Sequence, residues 1–255
     1  MDRVLPLTTV HNFRDLGGYR TRDGASVRWR RLFRSGQLSD LDGEDQDAVA
    51  ELGIREVHDF RRPEECERFP SRLPGSVTTR TYPLGIASLK AVTDLVFSGQ
   101  ASAAGTRQMM VDGYRGFVRD LSPELSTFLK AMAQPSDHGI LMHCLAGKDR
   151  TGAAVALLLS ALDVPRDTIV EDYLLSAEHF PVDSIMDLLL GYFARKQAPP
   201  VSREALQPYC GVDADYLLAA FDEIDARHGG TDAYLSRTLG LSESQRQTLR
   251  DNFLR

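Results

Sequence analysis

Two rhythms of apolar residues run along this chain, and where each prevails predicts the elements. Short runs bounded by turn formers alternate with helical spacings up to residue 145; beyond Pro165 the spacing is helical throughout. Gly18 to Thr21 and Val27 to Arg30 flank Asp23-Gly24, a strong turn pair, and predict two strands with Trp29 in or near the core. Residues 43 to 52 predict a short helix stopped by Gly53, and Ile54 to Asp59 a strand. Pro63, Pro70 and Pro74 mark a loop-rich stretch, and Thr78 to Leu84 predict a further strand. The spacing from 105 to 120 is helical, and Ser122-Pro123 supplies a cap and a first-turn proline for the next helix. Gly139 to His143 is an apolar run that stops abruptly, and a helical pattern opens at Thr151-Gly152 and runs through Leu162.

The C-terminal part predicts helices over Asp167–Glu178 and Asp183–Arg195, the latter unusually apolar and stopped by Pro199-Pro200. Another spans Asp213–His228 with Gly229-Gly230 as its stop, and Ser242-Glu243-Ser244-Gln245 is a capping box for the last helix. Strands mixed with helices, then helices alone, predict one α/β domain over residues 1–255 with an appended helical part.

Composition narrows the functional classes. The 42% hydrophobic content is ordinary for a globular chain, and no apolar run is long enough to span a bilayer. A net charge of −6 argues against general nucleic-acid binding. The exception is the segment from Arg14 to Arg34, with seven arginines against Asp15 and Asp23. Its commoner explanation is a solvated strand face whose arginines pair with acidic helices elsewhere. Cys66, Cys144 and Cys210 have unrelated spacings, so no disulfide framework is implied, and the six histidines form no metal cluster with them. No metal and no cofactor is expected. The opening residues lack a signal-peptide core, and a nucleophilic thiol favours a reducing compartment, so a cytoplasmic location is expected; export by a route without a recognisable signal remains open.

The candidate chemistry lies between residues 139 and 152. A strand, a tight loop and a helix start follow one another, with Cys144 at the entrance and Arg150 at the exit. A helix N-terminus carries unpaired N–H groups and partial positive charge, and a loop leading into it can wrap more N–H groups around an anion. Leu145, Ala146, Gly147 and Lys148 would line this wrap, and Gly147 permits the backbone conformations it needs. Arg150 adds a planar fork for two phosphate oxygens. The field that attracts phosphate also stabilises a thiolate at Cys144, a strong nucleophile, and Thr151 can donate its hydroxyl to the sulfur. A nucleotide-binding loop is excluded, because no Gly stands five residues before Gly147 and Lys148 is followed by Asp.

His143-Cys144, five residues, then Arg150-Thr151 resembles the signature loop of cysteine-dependent tyrosine and dual-specificity phosphatases. Gly147-Lys148-Asp149-Arg150-Thr151-Gly152 is similar to a bacterial and fungal branch of atypical tyrosine phosphatases. Asn12-Phe13-Arg14-Asp15-Leu16-Gly17-Gly18-Tyr19, Leu32-Phe33-Arg34-Ser35-Gly36, Asp59-Phe60-Arg61-Arg62-Pro63-Glu64-Glu65 and Glu171-Asp172-Tyr173-Leu174 resemble further motifs of that branch. The resemblance covers the chain from about residue 10 onward. It implies a central, mostly parallel sheet flanked by helices, with a C-terminal helical extension or lid.

A phosphate monoester needs a general acid beside its leaving oxygen. Asp149 is the first candidate, because some phosphatases, including lipid-directed ones, are thought to use an aspartate at this loop position. Asp59, at a strand end, is the second, against a salt bridge to Arg61 or Arg62. Lys148 either contacts substrate phosphate or pairs with Asp59 or another carboxylate and shapes the loop. His143 is expected to orient the cysteine backbone. Residues 183–208 are a candidate lid whose apolar face covers the loop, against plain core packing. The leading expectation is hydrolysis of phosphotyrosine on protein through a phospho-cysteine, with phosphoserine and phosphothreonine as further substrates. The alternatives are a phosphoinositide or inositol phosphate phosphatase, slightly disfavoured by Glu64 and Glu65 beside the site, and a phosphate-binding module without turnover.

Overall fold

In the computed structural model the described residues are 3–5, 7–86 and 89–255. Five strands form one sheet in the order β1-β2-β5-β3-β4. These are β1 (Arg14–Asp15), β2 (Leu32–Ser35), β3 (Ile54–Asp59), β4 (Thr78–Thr81) and β5 (Gly139–His143). All neighbours pair parallel except the edge strand β1, which runs antiparallel to β2. The mostly parallel α/β architecture is therefore as expected.

Side chains alternate along β5 between two cores, as strand geometry requires. Ile140 and Met142 enter the larger core, while Leu141 joins Phe33, Val57 and Val49 in the smaller one. The smaller core is covered by α1 (Gly43–Glu51), after which α2 (Pro63–Arg68) follows β3. The other face is covered by helices. In chain order these are α3 (Leu89–Phe97), α4 (Ala103–Asp120), α5 (Ser122–Met132), α6 (Asp149–Ala161), α7 (Arg166–Leu174) and α8 (Ser176–His179). They continue with α9 (Val182–Arg195), α10 (Arg203–Cys210), α11 (Ala214–His228), the single turn α12 (Thr231–Ala233) and α13 (Glu243–Phe253). A π-helical segment, Tyr234–Thr238, follows α12. The helix α6 is nearly all apolar and is buried along most of its length beneath α4, α7 and α11, as a central helix must be.

Several local expectations need correction. The hairpin around Asp23-Gly24 has its turn but no regular strands; it is held by single bonds such as Val27 N to Tyr19 O, 2.9 Å, and one bridge between Arg20 and Ser26. The chain's last residues replace a longer strand pairing there, with Arg28 N donating to Phe253 O at 2.7 Å. The strand expected to reach Leu84 ends at Thr81. Ser122 is not the cap of α5 but its first residue, and its hydroxyl donates to Val118 O at 3.2 Å. The proline-marked stretch contains α2, with Pro63 in its first turn, and the helix expected over 167–178 breaks at Leu175.

The basic segment is solvated only in part: Arg20, Arg22 and Arg30 are exposed, whereas Arg14 and Arg34 are fully buried and paired with one helix carboxylate, Asp172. Arg22 does pair at the surface, with Asp163 at 2.7 Å.

Candidate active site

The parallel strands β2, β5 and β3 end level with one another, with Ser35 and Asp59 both in register with His143. Ligands collect at such C-terminal edges because the strand ends and helix starts face one another there. The loop after β5 runs from Cys144 to Lys148, and α6 begins at Asp149.

Three of the loop carbonyls are tied from behind. Leu145 O accepts from Gln37 N at 2.9 Å, Ala146 O from Asn12 Nδ2 at 3.1 Å, and Gly147 O from Arg34 Nη2 at 2.7 Å. A trans peptide points its N–H opposite to its C=O. The N–H groups of Ala146, Gly147 and Lys148 are thereby turned to the other side, where they donate to no backbone carbonyl among the described residues. Gly147 has φ +67°, and a Cβ there would lie 2.2 Å from Ser35 O. Gly152 lets α6 pass close to α7: a Cβ would meet the Tyr173 ring at 2.7 Å.

Behind the loop sits a buried ion cluster that sequence reasoning noticed only as motifs. Asp172 of α7 takes Arg14 Nε at 3.1 Å, Arg34 Nη1 at 2.6 Å and the Tyr19 hydroxyl at 2.9 Å. Arg14 in turn holds the Asn12 side chain, whose amide reaches the loop. Burial opposes the Asp172 charge, but the two guanidinium groups outweigh it and hold the carboxyl well below the usual range. Burial also pushes Arg14 down to about 10. Each of the matched motifs at 12–19, 32–36 and 171–174 thus contributes one side of a bracket that fixes the loop's backbone. The signal was present in the sequence as buried-type context around arginines, but the pairing of Arg14 and Arg34 with a residue near 172 was not.

Cys144 lies at the base of the bowl, 2% exposed. His143 donates through Nδ1 to Cys144 O at 3.3 Å, the orienting role expected of it, while its Nε2 lies 3.4 Å from Asp59 Oδ2. Arg150 leans toward α2. Glu65 accepts from Nη1 at 2.5 Å and from Nη2 at 3.1 Å, so this carboxylate occupies one edge of the guanidinium and leaves the Nε edge without a partner among the described residues. Burial works against this cation, but the neighbouring Cys144 and the Glu65 bond raise its pKa above the ordinary value. The Thr151 hydroxyl is fully buried and has no hydrogen-bond partner among the described residues, including Cys144.

The two candidate acids stand in different surroundings. Asp59 is 3% exposed and forms a salt bridge with Arg61, Oδ2 to Nη2 2.6 Å. Burial opposes its charge, yet His143 and Arg61 hold the carboxyl far below the usual range. The salt bridge to Arg61 that was weighed against the acid reading of Asp59 is thus present. Asp149 opens α6, with a side chain 22% exposed; Tyr114 donates to its Oδ1 at 2.9 Å and Lys148 Nζ lies 3.0 Å from its Oδ2.

The Lys148 ammonium is engaged on several sides. It also donates to Tyr209 O at 2.9 Å and Gly211 O at 2.8 Å, carbonyls at the C-terminal end of α10. It pairs with Asp149 and not with Asp59. The apolar face of α9 does not lie on the loop: Met186 and Phe193 pack with Val92, Val96, Leu206 and Cys210 in a cluster apart from the one that contains Cys144. The element that reaches the loop is α10, through Lys148 and through Tyr209, whose hydroxyl is pushed above its ordinary pKa by burial and by the Asp149 charge.

A loop of inward N–H groups between a parallel strand and a buried helix, with a cysteine beneath and an arginine in the first turn, is built for tetrahedral oxyanions and places the chain among the phosphate-handling α/β proteins. Within that class the match is specific. The chain belongs to the tyrosine phosphatase family, whose sequence profile matches residues 5–255. It is 32% identical over 269 aligned positions to the triple specificity protein phosphatase PtpB of Mycobacterium tuberculosis, covering 94% of this chain and 95% of that one. A tyrosine-protein phosphatase of Nostoc commune is 28% identical over 220 positions, covering 85% of this chain and 72% of its own length. Among the described residues no helix is long and apolar enough to cross a membrane.

Proposed function

We propose that this chain hydrolyses phosphotyrosine on proteins through a phospho-cysteine formed on Cys144. The observation that carries the reading is the bracketed loop: carbonyls of 145, 146 and 147 tied outward above a buried cysteine. The Cys144 thiolate attacks phosphorus as the bond to the leaving oxygen breaks. The N–H groups of Leu145, Ala146, Gly147 and Lys148 and the free Nε edge of Arg150 hold the equatorial oxygens, where charge builds in the transition state. Asp149 supplies a proton to the leaving oxygen. The buried Thr151 hydroxyl is the donor that stabilises the sulfur when water later releases phosphate.

Residues 183–208 cover the site through α10, with α9 behind it. Support comes from the end of α10, where the Tyr209 and Gly211 carbonyls hold Lys148. A substrate range wider than phosphotyrosine, such as phosphoserine and phosphothreonine, is in keeping with a relative whose name records triple specificity, without naming the three. The phosphoinositide reading is weakened by Lys148, whose ammonium is engaged by two carbonyls and Asp149 and is not a second cation for a polyanionic headgroup. A reducing compartment, the cytoplasm, suits the thiol.

The test is steady-state hydrolysis of a phosphotyrosine peptide, a phosphothreonine peptide and a phosphoinositide by wild type and Cys144→Ser. Wild type is expected to prefer the phosphotyrosine peptide, and Cys144→Ser to lose roughly a thousandfold or more in kcat/KM. Turnover surviving in Cys144→Ser would rule out the thiolate route. Binding without turnover in wild type would make the chain a phosphate-binding module.

A further inference from the structure

Two buried tyrosines from distant parts of the chain converge on Asp149. Tyr114, in the middle of α4, is fully buried and donates its only hydroxyl proton to Asp149 Oδ1 at 2.9 Å. Tyr173, near the end of α7, is also fully buried, and its hydroxyl oxygen lies 2.7 Å from that of Tyr114. Since Tyr114 has given its proton to the carboxylate, Tyr173 must be the donor between the two phenols. The bonds therefore run in one direction, Tyr173 to Tyr114 to Asp149. The rings are fixed by packing: Tyr114 stands edge-on to Tyr173, 6.1 Å between centroids, and tilted against Tyr216 at 5.9 Å.

Neither tyrosine contacts the phosphate loop's cysteine or arginine through any hydrogen bond, so binding of the anion does not account for them. A structural pair of phenols would also be satisfied by backbone carbonyls, as Tyr216 is by Pro208 O at 3.1 Å and Tyr234 by Val118 O at 2.7 Å. Here instead Tyr173 donates to Tyr114 and Tyr114 to a carboxylate oxygen of Asp149.

We infer that Tyr114 and Tyr173 are positioning residues that aim the general acid of this phosphatase. The inference rests on the reading of Asp149 as the acid. A carboxyl oxygen that accepts from Tyr114 is not the one that carries the acid proton, so the proton resides on Oδ2 and the plane of the carboxyl is fixed by the Tyr114 bond. In the reaction the Oδ2–H bond breaks, the proton passes to the leaving oxygen, and that oxygen takes the electron pair of the P–O bond as the S–P bond forms. Asp149 is then a carboxylate, stabilised by the donor already aimed at Oδ1 and by Lys148. Burial pushes both phenols well above their ordinary range, so the donors are present at neutral pH. The other titratable groups around Asp149 are Lys148, Arg150, Tyr209, Cys210 and Tyr216.

The experiment is a leaving-group series. Log kcat/KM is measured for aryl phosphates whose leaving phenols span acidic to weakly acidic, with wild type, Asp149→Asn, Tyr114→Phe and Tyr173→Phe. A working acid flattens dependence on the leaving group, because the departing oxygen is neutralised as it leaves. Asp149→Asn is expected to steepen the dependence most. Tyr114→Phe is expected to fall about tenfold on the poorest leaving group and less than about twofold on the best. Tyr173→Phe should show the same tilt more weakly. Phenylalanine retains both rings, and a packing defect alone would depress every substrate equally. A uniform drop, or wild-type slopes in both tyrosine variants beside a steep Asp149→Asn, would overturn the positioning role and leave the phosphatase reading intact. A flat Asp149→Asn would remove the acid assignment and this inference with it, while turnover dependent on Cys144 would still stand.

Discussion

At Gly147 the loop's function is a matter of backbone alone. The left-handed φ of +67° brings its chain so close to β2 that an added Cβ would stand 2.2 Å from Ser35 O. Gly147→Ala must therefore both strain the backbone and push the loop off the strand end. Displacing oxyanion donors by about 1 Å costs about a hundredfold in rate, so kcat/KM for an aryl phosphate is expected to fall by roughly that factor. Circular dichroism should show the fold retained; a variant with wild-type kcat/KM would mean that the loop N–H groups are not held by this contact. Residues brought together by their immediate sequence neighbours were legible in this way. Cys144 and Gly147 in the loop and Arg150 in the first turn of α6 lie in one continuous stretch, so spacing alone brings them together. Asp59 was not legible, since the choice between acid and ion pair depends on whether Arg61 turns back onto it and on His143, 84 positions away along the chain. Lys148 was open for the same reason, because the carbonyls that engage it belong to residues 209 and 211.

At the scale of elements, periodicity located the long helices but not what they press against. The apolar stripe of α9 is real, and its Met186 and Phe193 are buried, but the stripe meets α3 and α10 and not the loop. The helix α10 was missed because it has only eight residues and carries an internal proline, Pro208. It is the element that joins α9 to the loop. Its carbonyls grip Lys148, and α9 supports it from outside. Truncating Phe193, 2% exposed, removes a large part of that support. Phe193→Ala is expected to cost about 3–5 kcal/mol within this cluster. The loss should appear first as faster amide exchange in α9 and α10, since the two larger cores are separate. If the cover limits access to the nucleophile, iodoacetamide should alkylate Cys144 several times faster in Phe193→Ala than in wild type. An equal alkylation rate in a variant whose α9 amides exchange faster would deny a covering role to this segment.

Across the whole molecule, one carboxylate ties the N-terminal segment, the sheet and the C-terminal helices to the loop. Asp172 on α7 is 1% exposed and meets Arg14 of β1 and Arg34 of β2 at once. An uncompensated pair of buried guanidinium groups is costly: removing one partner of such a cluster typically destabilises by about 3–5 kcal/mol. Asp172→Asn should lower unfolding free energy at pH 7 by about that amount, although the amide fits the same space. The pH dependence has a definite sign. The folded pKa of Asp172 lies well below the unfolded carboxylate value, because Arg14 and Arg34 together outweigh burial. Its stabilisation is therefore complete above the unfolded value of about 3.9 and is lost as the pH falls below that toward the folded one. Urea unfolding of wild type and Asp172→Asn at stepped pH between neutral and about 3 separates this group from the other carboxylates with depressed values, such as Glu56 at about 2, which both proteins share. The gap in unfolding free energy is expected to be constant through neutral pH and to narrow on the acid side. A gap that stayed fixed down to the acid transition would mean that the buried cluster is not held together by the ionised form of Asp172. The loop bracket would then depend on the hydrogen bonds from Asn12, Arg34 and Gln37 without an ionic foundation.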